Sequence, residues 1–107
     1  MKSMYTYIMA HMKNKLFYVG VTNNIKQRTF DHKQATFETH VGKYNIKQLV
    51  WYEHHDNPLE AIKREKLIKK WKRVYKINLI ESRNPEWNDL AADWDFTGYV
   101  TSKERFE

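Results

Sequence analysis

Two phenols, a guanidinium, an imidazole and a carboxylate form the most reactive combination in this sequence: Tyr7, Tyr18, Arg28, His32 and Glu65. Such groups exchange protons, bind an anion and hold a cation. Tyr7 and Tyr18 lie in alternating, β-forming runs, Met4 to Ala10 and Leu16 to Val21, that read as a hairpin over residues 4–21. With the turn centred between Met12 and Lys13, in a polar stretch containing Lys13-Asn14-Lys15, Tyr7 is expected directly opposite Tyr18. A slip of one residue would place the two rings on opposite faces. Ile25, Arg28 and His32 follow at i, i+3 and i+7, one face of a helix. Glu65 lies three residues from both Ile62 and Ile68, at the border of the buried stripe of its own helix. A carboxylate there needs a partner, either a metal cation or a lysine.

Taken singly, each residue has a plainer reading. A strand tyrosine usually packs, Arg28 can pair with Asp31, and a lone histidine is more often a core or surface residue than a catalyst. Glu65 can pair with Lys69 at i+4, worth about 0.2–0.5 kcal/mol. His54 and His55 are neighbours on a strand and point to opposite faces, which argues against a shared metal. His11 and His40 fall in expected loops, and no glycine-rich phosphate loop, HExxH or paired-carboxylate signature is present. The five residues carry meaning only as a set.

As a set they resemble a known family. Met4-Tyr5-Thr6-Tyr7-Ile8, then Phe17-Tyr18-Val19-Gly20-Val21, then Arg28 with His32 four residues on, is similar to the GIY-YIG nuclease superfamily. The run from Ala61 to Trp71, with Asn84-Pro85-Glu86-Trp87 after it, resembles that superfamily's short standalone bacterial group in particular. The likeness extends from residue 4 to about 90. It implies an α+β fold, a small three-stranded antiparallel sheet flanked by helices. Tyr7 and Tyr18 take the two motif tyrosines, Arg28 the family arginine, His32 the histidine-or-tyrosine position, and Glu65 the metal-binding glutamate. Asn78, thirteen residues past Glu65, matches an asparagine that many members carry in support. Tyr5 stands where the first motif has glycine, and Val19 where the second has isoleucine.

The activity so implied is metal-dependent endonucleolytic hydrolysis of DNA phosphodiester bonds, structure-selective and linked to DNA repair or recombination. One carboxylate suits Mg²⁺, or Mn²⁺ in its place, because such ions keep several waters and complete their shell with substrate oxygens. Arg28 would stabilise the transition-state charge, and either tyrosine would activate water while the other orients the phosphate or the base. The alternative is a catalytically weak or inactive nucleic-acid-binding module of the same fold.

The elements that must position these groups follow from pattern and punctuation. Thr22 or Asn23 caps a helix from about Asn24 to Ala35, residues 36–44 form a loop containing Gly42, and Ile46 to Glu53 is a third strand. Asn57-Pro58 starts a helix over about 58–71 that continues or restarts to about 82, where Asn84-Pro85 ends it. Leu67, Ile68, Trp71, Val74 and Tyr75 give its apolar stripe. The expected order is β-β-α-β-α-α plus an acidic tail. Residues 1–83 then form the nuclease-like domain, and 84–107, with Trp87, Leu90, Trp94 and Phe96, a tail packed on the same domain.

The composition of these 107 residues is globular: 41% hydrophobic, 30% charged, with sixteen aromatics to fill a small core. The absence of cysteine excludes a disulfide scaffold, a zinc ribbon and a thiol nucleophile, and suits the cytoplasm. There is no apolar run long enough for a membrane span and no visible signal peptide. Residues 59–83 hold nine of the 19 basic residues and carry the whole net charge of +6, whereas 84–107 carries −4. Lys69, Lys70, Lys72, Arg73 and Lys76 are therefore the expected nucleic-acid-binding residues, and the charge alone equally suits a solvated helix face. The acidic tail is a poor DNA ligand and is expected instead to cover the sheet or to form a homodimer contact.

Overall fold

A computed structural model describes residues 3–11, 16–35 and 46–101. The β-forming runs become β1 (Met4–Ala10) and β2 (Phe17–Thr22), followed by α1 (Ile25–Lys33), β3 (Gln48–His55), α2 (Pro58–Lys70) and α3 (Arg73–Arg83). The three strands form one antiparallel sheet in the order β2-β1-β3, so the fold is α+β in the expected sequence β-β-α-β-α-α. The expected turn at Lys13-Asn14-Lys15, the loop over 36–44 and His40 lie outside the described residues.

The hairpin register differs from expectation by two residues. Tyr7 faces Gly20, and Tyr18 faces Met9. Because the side-chain period of a strand is two, a shift of two keeps both tyrosines on the same face and converts a direct pair into a diagonal one. Helix α1 is capped by Asn24, whose side chain accepts from Gln27 N, rather than by Thr22 or Asn23, and it ends at Lys33, short of Ala35. The third strand lies two residues later than expected.

Alternation divides the sheet into two packed faces. Ile8, Ala10, Val19, Val50 and Trp51 point toward Ile68 of α2, Ile80 of α3 and Trp87. Tyr7, Met9 and Leu49 point the other way, onto Ile46 and Ala91, with Tyr18, Ile25, Tyr52, Trp94 and Phe96 packed at the margin. A β-bulge opposite Ile8 and Met9 leaves Val50 without a paired residue on β1, which lets Val50 and Trp51 enter the same cluster.

Of the two courses expected for residues 58–82, a continued helix or a restarted one, the chain takes the second, with α2 and α3 as separate helices. Asn57 caps α2 with its carbonyl on Leu59 N and Glu60 N, and Trp71 and Lys72 are extended before α3 restarts. The break disrupts the apolar stripe: Ile68 is buried, Trp71 partly so, and Leu67, Val74 and Tyr75 are exposed. Leu90, expected to pack, is also exposed.

Residues 84–101 wrap the β3 edge. Asn84 Nδ2 donates to Val50 O (3.0 Å) and Asn88 O (2.9 Å), and its Oδ1 accepts from Asn88 N (3.0 Å). Leu90 N then donates to Leu49 O at 2.8 Å, while Asp89 Oδ1 accepts from Leu49 N and Ala91 N. The strand edge is thereby covered, and the chain crosses from Trp87 on one face to Ala91 on the other. Trp87 holds φ 57°, an unusual value for a side chain of this size, stabilised by its buried indole and by Nε1–H donating to Glu81 Oε2 at 2.7 Å. Asn84→Ala removes three hydrogen bonds, one buried and two partly buried. It is expected to cost about 1–3 kcal/mol in urea unfolding.

Candidate active site

The site is built where α1 and α2 approach the edge strand β2. Thr22 Oγ1 accepts from Asn24 N at 3.1 Å, so α1 starts directly off β2 and carries His32 back over the sheet. Its far end is tied by Lys33 to Asp89 and to Lys47 O, and its near end by Gln27 Nε2 to Val100 O. Helix α2 is fixed to the opposite face by Thr6 Oγ1 donating to Ala61 O at 2.9 Å and by Ile68 in the core.

Tyr7, Tyr18 and His32 meet as three rings. Their centroids lie 6.3 Å apart for the tyrosine pair, 5.7 Å for Tyr7–His32 and 5.4 Å for Tyr18–His32. Tyr7 OH is hydrogen-bonded to His32 Nε2 at 3.2 Å. The Tyr7 ring crosses β2 over Gly20, where a Cβ would lie 2.5 Å from the hydroxyl and 2.9 Å from Tyr18 Cε1. Only glycine leaves that path open. Local pattern does not reveal this requirement, although the Tyr18-Val19-Gly20 spacing carries it.

Burial determines the protonation states. It lowers His32 to about 4, with Arg28 adding to the effect and Asp31 opposing it, so the imidazole is neutral near pH 7. Burial also pushes the Tyr7 phenol above its ordinary value. Tyr18 adds to this, Arg28 opposes it, and Glu65 and Asp31 contribute smaller increases. Tyr7 is therefore protonated at neutral pH. Since the folded-state value of His32 lies below the unfolded 6.5, the unfolded chain binds its proton more readily between those values. Its contribution to stability is complete above pH 6.5 and is lost as pH falls toward 4, up to about 3 kcal/mol at 1.36 kcal/mol per unit. Urea unfolding across this window should show a shallower acid slope in His32→Phe than in the wild type.

Arg28 is exposed on α1, and its charge reaches both Tyr7 and His32. Glu65 of α2, with a side chain 13% exposed, is ion-paired with Lys69, whose Nζ lies 6.0 Å from the Tyr18 ring centroid. The five residues thus converge on one place. Lys70, Lys72 and Arg73 are exposed and Lys76 partly buried along the α2–α3 junction, with the Arg73 guanidinium 4.7 Å from the Phe17 ring centroid on β2. Asn78 is exposed on α3 and lines a shallow groove with Trp71, Tyr75, Leu79 and Ser82. The asparagine with buried structural bonds is Asn84, which pattern alone identified only as a helix end.

His54 faces Asp56 at 3.8 Å, whereas His55 turns to Glu53 at 3.3 Å and to Thr6 Oγ1 at 3.2 Å. Among the described residues no group of three histidine, cysteine or acidic side chains is placed to enclose a metal. Glu65 brings one carboxylate to the ring cluster, on which Asp31 also acts, and a single carboxylate fits a hydrated Mg²⁺ or Mn²⁺ completed by phosphate oxygens.

This arrangement defines a nuclease-type fold. The GIY-YIG catalytic domain family matches residues 3–78, and the chain belongs to that family. The family implies nucleic acid as the class of substrate. The UPF0213 protein CPE1444 of Clostridium perfringens (strain 13 / Type A) is 34% identical over 80 residues, covering 75% of this chain and 85% of that protein. The solution NMR structure of the UPF0213 protein BH0048 from Bacillus halodurans is 24% identical with a TM-score of 0.52, covering 85% of this chain and 97% of that one. The latter likeness bears on the fold alone. No helix among the described residues is long and apolar enough to cross a membrane.

Proposed function

We propose that the chain is a divalent-metal-dependent endonuclease that hydrolyses phosphodiester bonds in DNA, in a structure-selective role linked to repair or recombination. The supporting observation is the Tyr7–Tyr18–His32 cluster, with the charges of Arg28 and Glu65 both acting on Tyr7. Glu65 would hold the ion. When bound, that ion supplies Lewis-acid polarisation of the phosphate and acidifies a coordinated water.

The remaining roles follow from exposure and charge. Tyr18 is partly exposed and acts as the phenolate: its own proton passes to solvent, and the phenolate oxygen then takes the proton of the attacking water. Tyr7, buried and protonated, shares a hydrogen bond with neutral His32, which fixes its orientation. Arg28 neutralises charge developing on the phosphate oxygens. Lys70, Lys72, Arg73 and Lys76 bind the flanking backbone as point charges.

The test is cleavage of labelled single-stranded, duplex and branched DNA with Mg²⁺ or Mn²⁺, comparing the wild type with Glu65→Ala. Cleavage should require the ion and fall at least about 10³-fold in the variant, several kcal/mol of transition-state stabilisation. Binding without cleavage by both proteins on every substrate would instead establish a binding module of the same fold.

A further inference from the structure

Glu65 is nearly buried, with 13% of its side chain exposed, and a carboxylate in that setting is not left without a cation. In the free chain the cation is Lys69, one turn along α2 and half exposed. Its ammonium also lies 6.0 Å from the Tyr18 ring centroid, beside one of the two site tyrosines. A divalent ion held by Glu65 would need the place this ammonium takes at the carboxylate. Two cations cannot both occupy it, because like charges at contact distance repel strongly where water is partly excluded.

We propose that Lys69 is an exchangeable counter-ion. It neutralises Glu65 in the free chain and moves to a phosphate oxygen when nucleic acid arrives, so that the divalent ion and the nucleic acid bind cooperatively. The inference rests on the reading of Glu65 as the metal carboxylate.

The contrast with Arg64, on the same helix, shows why Lys69 can move. The Arg64 guanidinium is held by Glu53 at 3.0 Å and lies over the rings of Trp51 (5.8 Å) and Trp71 (5.6 Å). It is a fixed structural cation. Lys69 has a flexible stem, a compact and strongly hydrated charge, and 50% side-chain exposure. Lys70, Lys72, Arg73 and Lys76 follow it along the chain, and Arg73 lies over Phe17, the neighbour of Tyr18 on β2, so a phosphate backbone drawn to Arg73 comes toward the Lys69 ammonium. Transfer of Lys69 to that backbone leaves Glu65 open to the ion. By linkage the ion strengthens nucleic-acid binding by the same factor.

The experiment measures Mn²⁺ binding by the loss of the free-ion EPR signal, with and without a short cleavage-resistant phosphorothioate DNA strand. The wild type should bind Mn²⁺ about tenfold tighter with the strand present, within the usual range of coupling between sites. Lys69→Met should bind Mn²⁺ about tenfold tighter without the strand, and the strand should add little. Lys69→Arg, which keeps the charge, should retain the coupling. Lys69→Met should also flatten the slope of log K for DNA against log salt by about 0.9 on duplex or 0.7 on a single strand.

Wild-type affinity and coupling in Lys69→Met, together with loss of Mn²⁺ binding in Glu65→Gln, would overturn the exchange and leave the metal assignment standing. Unchanged Mn²⁺ binding in Glu65→Gln would overturn both. Lys69 is half exposed, so its variants should fold, and circular dichroism of each one checks this.

Discussion

Arg28→Ala should lower kcat for phosphodiester cleavage by about 10²–10³-fold, the usual cost of removing one preorganised donor to a transition-state oxyanion. Stability should barely change, because the side chain is exposed on α1 and surface substitutions usually stay within about 0.5 kcal/mol. Arg28 also acts on the cluster beneath it: its charge lowers both the His32 imidazole and the Tyr7 phenol. Removing it should therefore raise His32 from about 4 toward its ordinary value and move Tyr7 further up. Single-turnover cleavage measures the first effect, and an NMR titration of His32 the second. Arg28→Lys keeps the charge without the planar fork and should recover the His32 value better than the rate. A kcat for Arg28→Ala within threefold of the wild type would remove Arg28 from the reaction.

Gly20→Ala, a change of one methyl group, should damage fold and site together. Alanine in a strand would ordinarily be favoured over glycine by roughly 0.5–1 kcal/mol. Here the added Cβ would lie 2.5 Å from Tyr7 OH, 2.6 Å from Tyr7 Cζ and 2.9 Å from Tyr18 Cε1. Tyr7 cannot yield easily, since it is 2% exposed and its hydroxyl is bonded to His32. Overpacking of this kind costs about 1–3 kcal/mol, so the clash outweighs the propensity gain. Both phenols must shift, and a displacement near 1 Å in a positioned group can cost about 10²-fold in rate. Urea unfolding should register the first loss and single-turnover cleavage the second. A variant as stable as the wild type would show that the ring path over Gly20 is not tightly packed.

Each of these effects is only partly legible in the sequence. Alternation in Met4–Ala10, the helical spacing of Arg28 and His32, and the Asn57-Pro58 and Asn84-Pro85 boundaries are local signals that suffice for the element order, whereas the five candidate residues stand out as a set only through the family resemblance. The break at Trp71 and Lys72 has weaker punctuation, with neither proline nor glycine, so the sequence leaves open whether the helix continues or restarts, and it does not reveal that Leu67, Val74 and Tyr75, three of the five stripe residues, face solvent.

The amino-acid sequence by itself determined the elements, the face each tyrosine takes and the family likeness, because propensity, period and motif spacing act over a few residues. Tertiary structure alone decided that Tyr7 lies over Gly20 rather than opposite Tyr18, that Asn84 covers the β3 edge, and that the i, i+4 pair of Glu65 and Lys69 comes to lie beside Tyr18. Those are contacts between separate elements of the chain. Register, edge covering and the approach of α2 to β2 are selected by what the packed sheet and helices leave room for, and no local pattern records that.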